Sequence, residues 1–252
     1  MAHAPPLPIA GPMIDELSKT ADARLHPSLR EPNFLVLRAR RLIFTKWIEQ
    51  LAGDDLHILD IGGRYQPYRP LFAERATRYV GCDILPTRFV NVVGDGEALP
   101  FSDNSFDVVI ATQVFEYFPE PRQAAKQIHR VLKPGGCLLM SVAATAPRCV
   151  DEECWRFTPQ GIRAILSDFS QVKVLAETSS AGGVIRLLNM ALRSFLRPKF
   201  LERVVSGTLC PVLNLAGLAC ETLKLTHNDQ FSPNYSVRAL KQSGACQTHS
   251  MC

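Results

Sequence analysis

The sequence predicts an α/β fold with a mostly parallel sheet, helices on both faces and a helical insertion before the last strand. Short apolar runs alternate with stretches of helical spacing along most of the 252 residues, a pattern typical of parallel sheets. The runs have few polar interruptions, as expected of strands buried on both faces. They predict seven strands, at residues 56–61, 79–83, 89–93, 106–111, 137–142, 172–176 and 235–240.

The stretches between these runs predict the helices. Apolar residues at helical spacing from Asn33 predict an amphipathic helix that ends near Gly53, where glycine is the expected stop. A helix opens at Pro159, with Thr158 as its N-cap. Further helices are predicted at residues 68–75, 121–132 and 184–200.

The same patterns divide the chain into segments. Residues 1–32 contain several prolines and no sustained period, which predicts an N-terminal tail, partly disordered. A core follows at residues 33–180, then a helical insertion at residues 181–228. Residues 229–252 would supply the last strand and a C-terminal tail.

Composition limits the classes of function. A net charge of +4 is too small to indicate nucleic acid as a partner. A basic cluster of Arg38, Arg40, Arg41 and Lys46 could be a solvated helix face or could meet phosphates or anionic lipid. The eight cysteines form no Cys-x-x-Cys pair and no zinc spacing, so we expect a reducing compartment and no metal. Without a signal-peptide pattern, a cytoplasmic location is the expectation.

The most informative stretch is the turn after the first strand. The strand ends on Asp60, Gly62 and Gly63 follow, and a second apolar run ends on Asp83 about 20 residues later. Glycine lets the backbone approach a ligand closely, and an acid at the end of the next strand can accept hydrogen bonds from ribose hydroxyls. The stretch predicts a βαβ unit that holds a nucleoside.

A second segment carries a family resemblance. Residues 95–109 read Asp-Gly-Glu-Ala-Leu-Pro-Phe-Ser-Asp-Asn-Ser-Phe-Asp-Val-Val, and Leu-Lys-Pro-Gly-Gly follows at residues 132–136. Together with the glycine turn, they resemble the class I S-adenosylmethionine-dependent methyltransferases, most closely the small-molecule branch. The resemblance implies a Rossmann-like seven-stranded sheet and S-adenosyl-L-methionine as the methyl donor. Residues 155–159, Trp-Arg-Phe-Thr-Pro, are similar to a subgroup associated with glycan or cell-envelope biosynthesis.

The resemblance also implies roles for the residues that match its motifs. Residues of the first turn would flank the amino-acid part of the donor, the acid after strand two would bind the ribose, and later residues would contact the adenine and line the pocket. In that order these residues are Asp60, Gly62 and Gly63; Asp83; and Asp95, Gly96 and Gln113. The first turn departs from the family pattern, because Arg64 and Gln66 stand where glycine is usual. Arg64 could pair with the carboxylate of the donor or point to solvent.

Candidate catalytic residues follow strands four and five. Glu116 and Glu153 could act as a general base for a hydroxyl acceptor, and the alternative for the acids at 151–153 is a solvated loop. Arg156 could hold an anionic acceptor such as a phosphate or uronate, since its fork suits planar anions. The alternative for Arg156 is a structural ion pair with a nearby carboxylate.

The helical insertion contains an uncharged run. Residues 204–220 include no charged side chain, and Arg193, Arg197, Lys199 and Arg203 precede them. The run is at the short limit for a membrane span and contains Pro211 and Gly217. Residues 184–220 are therefore expected either to attach peripherally to the inner face of a membrane or to form a lid over the active site.

Three functions are compatible with these features. The first is methyl transfer to a hydroxyl or other nucleophile of a small molecule, glycan or lipid-linked sugar. The second is a non-catalytic binding or scaffold protein with the same fold, which the altered glycine turn favours. A dinucleotide-dependent oxidoreductase fits less well, because residues 62–67 do not read Gly-x-Gly-x-x-Gly.

Overall fold

The computed structural model describes residues 11–148, 150–195, 199–225 and 228–243. These residues form a seven-stranded sheet with the order β3-β2-β1-β4-β5-β7-β6, in which only β7 runs antiparallel to its neighbours. The strands are β1 (Leu56–Ile61), β2 (Ala76–Asp83), β3 (Val92–Val93), β4 (Phe106–Thr112), β5 (Leu132–Ala143), β6 (Ser170–Ala176) and β7 (Asn234–Leu240). The predicted fold class, Rossmann-like with a mostly parallel sheet, is confirmed.

Strand boundaries differ from the prediction where local pairing differs. β1 begins and ends as predicted, whereas β3 is reduced to two residues. β5 starts at Leu132 instead of residue 137, because Leu132 already pairs with Phe106 across a register shift. The Lys-Pro-Gly-Gly segment therefore belongs to the strand and is not a separate loop.

Helices cover both faces of the sheet. They are α1 (Gly11–Leu25), α2 (Phe34–Glu49), α3 (Pro121–Val131), α4 (Pro159–Ile165), α5 (Ser180–Phe195), α6 (Lys199–Gly207) and α7 (Leu209–Thr222). Thr158 caps α4 as predicted, its side chain accepting a hydrogen bond from the N–H of Gly161.

Two stretches differ from their predicted conformation. The helix expected at residues 68–75 is a single 3-10 turn, Arg69–Phe72, because β2 begins at Ala76 and leaves no room for more. Residues 11–25, predicted as part of a tail, form α1. The last residue of this helix, Leu25, is buried in the core beside Phe44 and Trp47 of α2.

The core lies in two layers, one on each face of the sheet. Ile58 of β1 packs in the layer that contains Phe44 of α2. Its neighbours Leu59 and Ile61 pack in the opposite layer, with Ile128 of α3. Because successive side chains of a strand point to opposite faces, β1 is buried on both sides and its carboxyl end is fixed.

The insertion before β7 consists of α5, α6 and α7. The side-chain amide of Asn214 in α7 donates to the carbonyl oxygens of Leu29 and Glu31 at 2.8 and 2.9 Å. Gly217 of α7 packs directly on Leu35 of α2. These contacts attach α7 to the start of the core. No helix within the described ranges is long and apolar enough to cross a membrane.

Candidate functional site

A cavity of about 700 Å³ opens at the carboxyl ends of β1, β2 and β4. Open α/β sheets bind ligands at this edge. Five of the seven residues predicted to contact a donor line the cavity. They are Gly62, Asp83, Asp95, Gly96 and Gln113.

The glycine turn forms the floor of this cavity. Gly62 has φ +74°, a backbone conformation that side chains with a Cβ rarely adopt. The N–H groups of Gly62 and Gly63 both donate to the carbonyl oxygen of Cys82, at 2.9 and 3.2 Å. The turn is therefore fastened to the end of β2, and Gly63 lies behind the cavity wall.

Asp60 lies behind the same wall. Its carboxyl is buried and accepts a hydrogen bond of 2.7 Å from the hydroxyl of Tyr79. Burial raises the pKa of Asp60 to about 7, and the hydrogen bond from Tyr79 opposes that rise. Asp60 therefore braces β1 against β2 and does not line the cavity, whereas Gly62 in the turn that follows does.

Asp83 lies at the predicted position in the cavity, but its carboxylate is paired with the guanidinium of Arg64. Arg64 donates from Nε to Oδ2 and from Nη2 to Oδ1 of Asp83, both at 3.1 Å. The backbone N–H of Leu85 also donates to Oδ1, at 3.0 Å. Both carboxylate oxygens therefore have partners within the protein. Arg64 thus pairs with an acid of the protein itself, while 35% of its side chain stays exposed.

Asp95 and Gly96 form the opposite wall. Oδ1 of Asp95 accepts a hydrogen bond of 2.9 Å from the N–H of Glu97, which fixes the turn. A Cβ on Gly96 would lie 2.5 Å from the ring of Phe118, so the close approach requires glycine. Phe118 also lines the cavity. The wall is therefore a carboxylate beside an aromatic ring, an arrangement that suits a flat base with an exocyclic amine.

Gln113 is held in an uncommon conformation at the end of β4. Its φ is +52°, and such values cluster at functional sites. The backbone N–H of Gln113 donates to the carbonyl oxygen of Ser141 at 2.8 Å, and its side-chain amide donates to the hydroxyl of Ser141 at 3.2 Å. β5 thus fixes both the backbone and the side chain of this residue.

Glu116 is buried next to the cavity without lining it. One carboxylate oxygen accepts a hydrogen bond from the N–H of Ala143, and the backbone carbonyl accepts from the N–H groups of Cys154 and Trp155. The other carboxylate oxygen, Oε2, is buried with no hydrogen-bond partner among the described residues. Burial raises the pKa of Glu116 to about 7.

Glu153 and Arg156 pair with each other. Nη2 of Arg156 lies 2.6 Å from Oε2 of Glu153 and 3.1 Å from the carbonyl oxygen of Pro147. This is the structural ion pair that was the alternative for Arg156. Neither residue lines the cavity, whereas Glu152 does.

Arg24 is a cavity residue that the sequence analysis did not identify. Arg24, on α1, lines the cavity, with its guanidinium carbon 4.5 Å from the centre of the Tyr65 ring. Burial lowers the pKa of Arg24, and the nearby Arg40 and Arg64 lower it further. Because the start of the chain is rich in proline, the sequence did not predict the helix that carries this residue.

Comparison with known proteins shows what the segment around this site resembles. Residues 59–140 match a family model described as a methyltransferase domain. The matched segment includes every residue from Asp60 to Gln113 that the sequence placed around the donor. This part of the chain, about a third of its length, is therefore similar to methyltransferase domains.

Relatives of known sequence match about a third of the chain. An uncharacterized methyltransferase of Mycobacterium leprae (strain TN) is 30% identical over 96 residues, which are 33% of this chain and 36% of the relative. Another, of Mycobacterium avium (strain 104), is 32% identical over 105 residues, 37% of this chain and 41% of the relative. The match thus spans well under half the length of these relatives.

Solved structures support the fold. The [4+2]-cyclase SpnF has a TM-score of 0.52 at 18% identity, over 80% of this chain and 82% of that chain. Phosphoethanolamine N-methyltransferase 2 of Haemonchus contortus, in complex with S-adenosyl-L-methionine, has a TM-score of 0.51 at 16% identity, over 88% of this chain and 60% of that chain. At such identities the likeness concerns the fold alone.

Proposed function

We propose that this protein transfers a methyl group from S-adenosyl-L-methionine to a hydroxyl or other nucleophile of a small molecule, a glycan or a lipid-linked sugar. One observation carries the proposal. Asp83, Asp95, Gly96 and Gln113 come from separate parts of the methyltransferase domain, and they line one cavity at the carboxyl edge of the sheet.

The cavity suits this donor in size and in chemistry. A volume of about 700 Å³ is within the range of cofactor sites. Asp83 would accept from the ribose hydroxyls and Asp95 from the adenine amine, while Gly62 lets the backbone approach the amino-acid part. The bound donor would supply a methyl carbon already activated by a sulfonium. Arg64 already donates a hydrogen bond to Oδ2 of Asp83, and this reduces the capacity of Asp83 to bind the ribose of the donor.

The protein's own contribution would be positioning, exclusion of water and proton transfer. Alignment of two reactants in a closed site can supply about 7–11 kcal/mol in favourable cases. Glu116 is the candidate base, because its Oε2 is unpartnered among the described residues and a pKa of about 7 suits proton acceptance near neutral pH. Since Glu116 does not line the cavity, it would accept the proton through a water molecule or after a local movement. Glu153 and Arg156 would position the segment that carries Trp155.

Binding of the donor tests the proposal. Wild-type protein should bind S-adenosylmethionine in calorimetry, and Asp83→Ala should abolish that binding because the ribose loses its acceptor. Asp54→Ala is the matched control, since Asp54 is an exposed acid outside the cavity lining that pairs with Arg75. Wild-type protein that binds no donor would refute the proposal.

Turnover separates the enzyme from a non-catalytic relative. The ion pair on Asp83 favours the non-catalytic alternative, and resemblance of fold does not fix the reaction. Transfer of the methyl group to an acceptor in a metabolite extract, detected as a gain of about 14 mass units in that acceptor, supports the enzyme. Donor binding with no transfer to any extract would favour a scaffold.

We further propose peripheral contact with an anionic membrane through α7. Val212, Leu215 and Leu223 follow one another at helical spacing and are 62%, 51% and 67% exposed. The run at 204–220 contains no charge, and the exposed Arg203 lies just before it. An apolar helix face next to basic residues is the pattern of an interfacial helix.

Vesicle sedimentation tests this contact. Wild-type protein should sediment with vesicles that contain phosphatidylglycerol, and less with pure phosphatidylcholine. Replacing Val212, Leu215 and Leu223 together by Asn should abolish sedimentation, whereas Leu42→Asn, at an exposed apolar position of α2 (48% exposed), should not. Equal recovery of wild type and triple variant in the supernatant would contradict the proposal.

A further inference from the structure

The Arg64–Asp83 ion pair has the geometry of an occupied binding site. The guanidinium contacts both oxygens of Asp83 at 3.1 Å, side by side, in the fork arrangement that suits a carboxylate. The side chain of Asp83 is only 2% exposed under this cover, while that of Arg64 is 35% exposed. Arg64 therefore caps the acid from the cavity side and keeps contact with solvent.

The remaining hydrogen-bonding capacity of Asp83 is too small for a ribose. Each carboxylate oxygen can accept about two hydrogen bonds. Oδ1 already accepts from Arg64 and from the N–H of Leu85, and Oδ2 accepts from Arg64. One acceptor position is left on Oδ2, whereas the two hydroxyls of a ribose need two.

Displacement of Arg64 from Asp83 by a ligand requires movement of the Arg64 side chain alone. The carbonyl oxygen of Arg64 accepts a hydrogen bond of 3.2 Å from the hydroxyl of Thr87, and the preceding N–H of Gly63 is fixed to Cys82. The backbone at Arg64 is thus held in place. Its partly exposed guanidinium can turn to solvent without a movement of the turn.

We propose that Arg64 is an internal competitor for the ribose subsite, a residue that sets the affinity and the selectivity for nucleoside ligands. The inference rests on the proposed function, because it assigns the subsite at Asp83 to a ribose. Any nucleoside that uses both hydroxyls must displace the guanidinium of Arg64 from Asp83. A nucleoside without these hydroxyls gains nothing from that displacement.

Binding of 5′-methylthioadenosine tests the competition, because this ligand has the ribose and adenine but no carboxylate. We expect Arg64→Ala to bind it about tenfold tighter than wild type, the equivalent of about 1.4 kcal/mol. Arg64→Lys should fall between the two, since lysine keeps the charge without the fork. Arg78→Ala is the matched control: it removes an exposed arginine of β2, the strand that carries Asp83, outside the cavity lining, and should leave affinity unchanged.

A second ligand makes the test specific to the ribose. The 2′,3′-dideoxy form of methylthioadenosine should bind wild type and Arg64→Ala with equal affinity. If Arg64→Ala tightens both ligands equally, or tightens neither, the competition is refuted while donor binding stands. If no variant binds either ligand or the donor, the proposed function fails as well, and circular dichroism of each variant distinguishes that result from misfolding.

Discussion

Two arginine–carboxylate pairs lie near the carboxyl edge of the sheet, and they differ in burial. Arg40 donates from Nε and Nη2 to Glu177 at 2.8 and 3.0 Å, with side chains 5% and 0% exposed. Arg64 donates in the same way to Asp83, but 35% of the Arg64 side chain is exposed. The chemistry of the two contacts is the same, so their surroundings decide what each one does.

The neighbours of each carboxylate show the difference. Glu177 accepts further hydrogen bonds from the hydroxyls of Ser141 and Ser236 and from the amide of Asn234. This network joins α2, β5 and β7 with no side open to water. Asp83 has one further donor, the N–H of Leu85, and faces a cavity. The first pair therefore holds the fold together, and the second can be exchanged for a ligand.

The largest effect is expected from breaking the buried pair. Arg40→Met leaves the charge of Glu177 in the protein interior without a cation, and such losses cost about 3–5 kcal/mol. Urea denaturation should show this decrease in the free energy of unfolding. A decrease below about 1 kcal/mol would show that the burial of the pair does not distinguish it from Arg64 and Asp83.

Glu116 extends the comparison to a buried acid without a salt-bridge partner. Burial raises its pKa from an ordinary value of 4.5 to about 7. The folded state therefore binds more protons than the unfolded state between these values, and stability falls as pH rises through that window. Glu116→Gln should remove this loss, on the order of 3 kcal/mol, from the free energy of unfolding measured between pH 4.5 and 7.5.

The contribution of Asp60 to the pH dependence of stability must be separated from that of Glu116, because burial also raises the pKa of Asp60 to about 7. Both acids destabilise the folded state as pH rises, so the wild-type curve contains both contributions. The difference between wild type and Glu116→Gln isolates one of them, and Asp60→Asn isolates the other. Parallel curves for wild type and Glu116→Gln would mean that the pKa of Glu116 is the same in the folded and unfolded states.

The sequence predicted the residues whose position follows from the end of a strand. The βαβ pattern placed Asp83 at the end of a strand, and the family resemblance implied that Asp95 and Gln113 lie near it. These placements agree with the rule that the carboxyl ends of parallel strands meet at one edge. The strands themselves were recognisable as apolar runs. This part of the site depends on local sequence pattern, on a resemblance carried by short motifs and on a general rule of topology, and all three can be read without coordinates.

The partners of charged side chains could not be read in the same way. Arg40 was one of four basic residues expected on a solvated or phosphate-binding face, yet it is buried against Glu177, 137 positions further along the chain. Arg64 and Asp83 are 19 positions apart, but the sequence did not show that one covers the other. Such pairs depend on the register of packed elements, which no short motif encodes.

The smallest stability effect is expected at the exchangeable pair. Arg64→Ala should change the free energy of unfolding by about 1 kcal/mol or less, because Arg64 is partly hydrated and removal of its side chain opens Asp83 to water in the cavity. Urea denaturation measures this change beside that of Arg40→Met. A loss near that of Arg40→Met would mean that Arg64 supports the fold. Displacement of Arg64 from Asp83 by a ribose would then lower the stability of the protein. A small loss combined with tighter nucleoside binding would separate the two pairs, one as part of the core and the other as part of the ligand site.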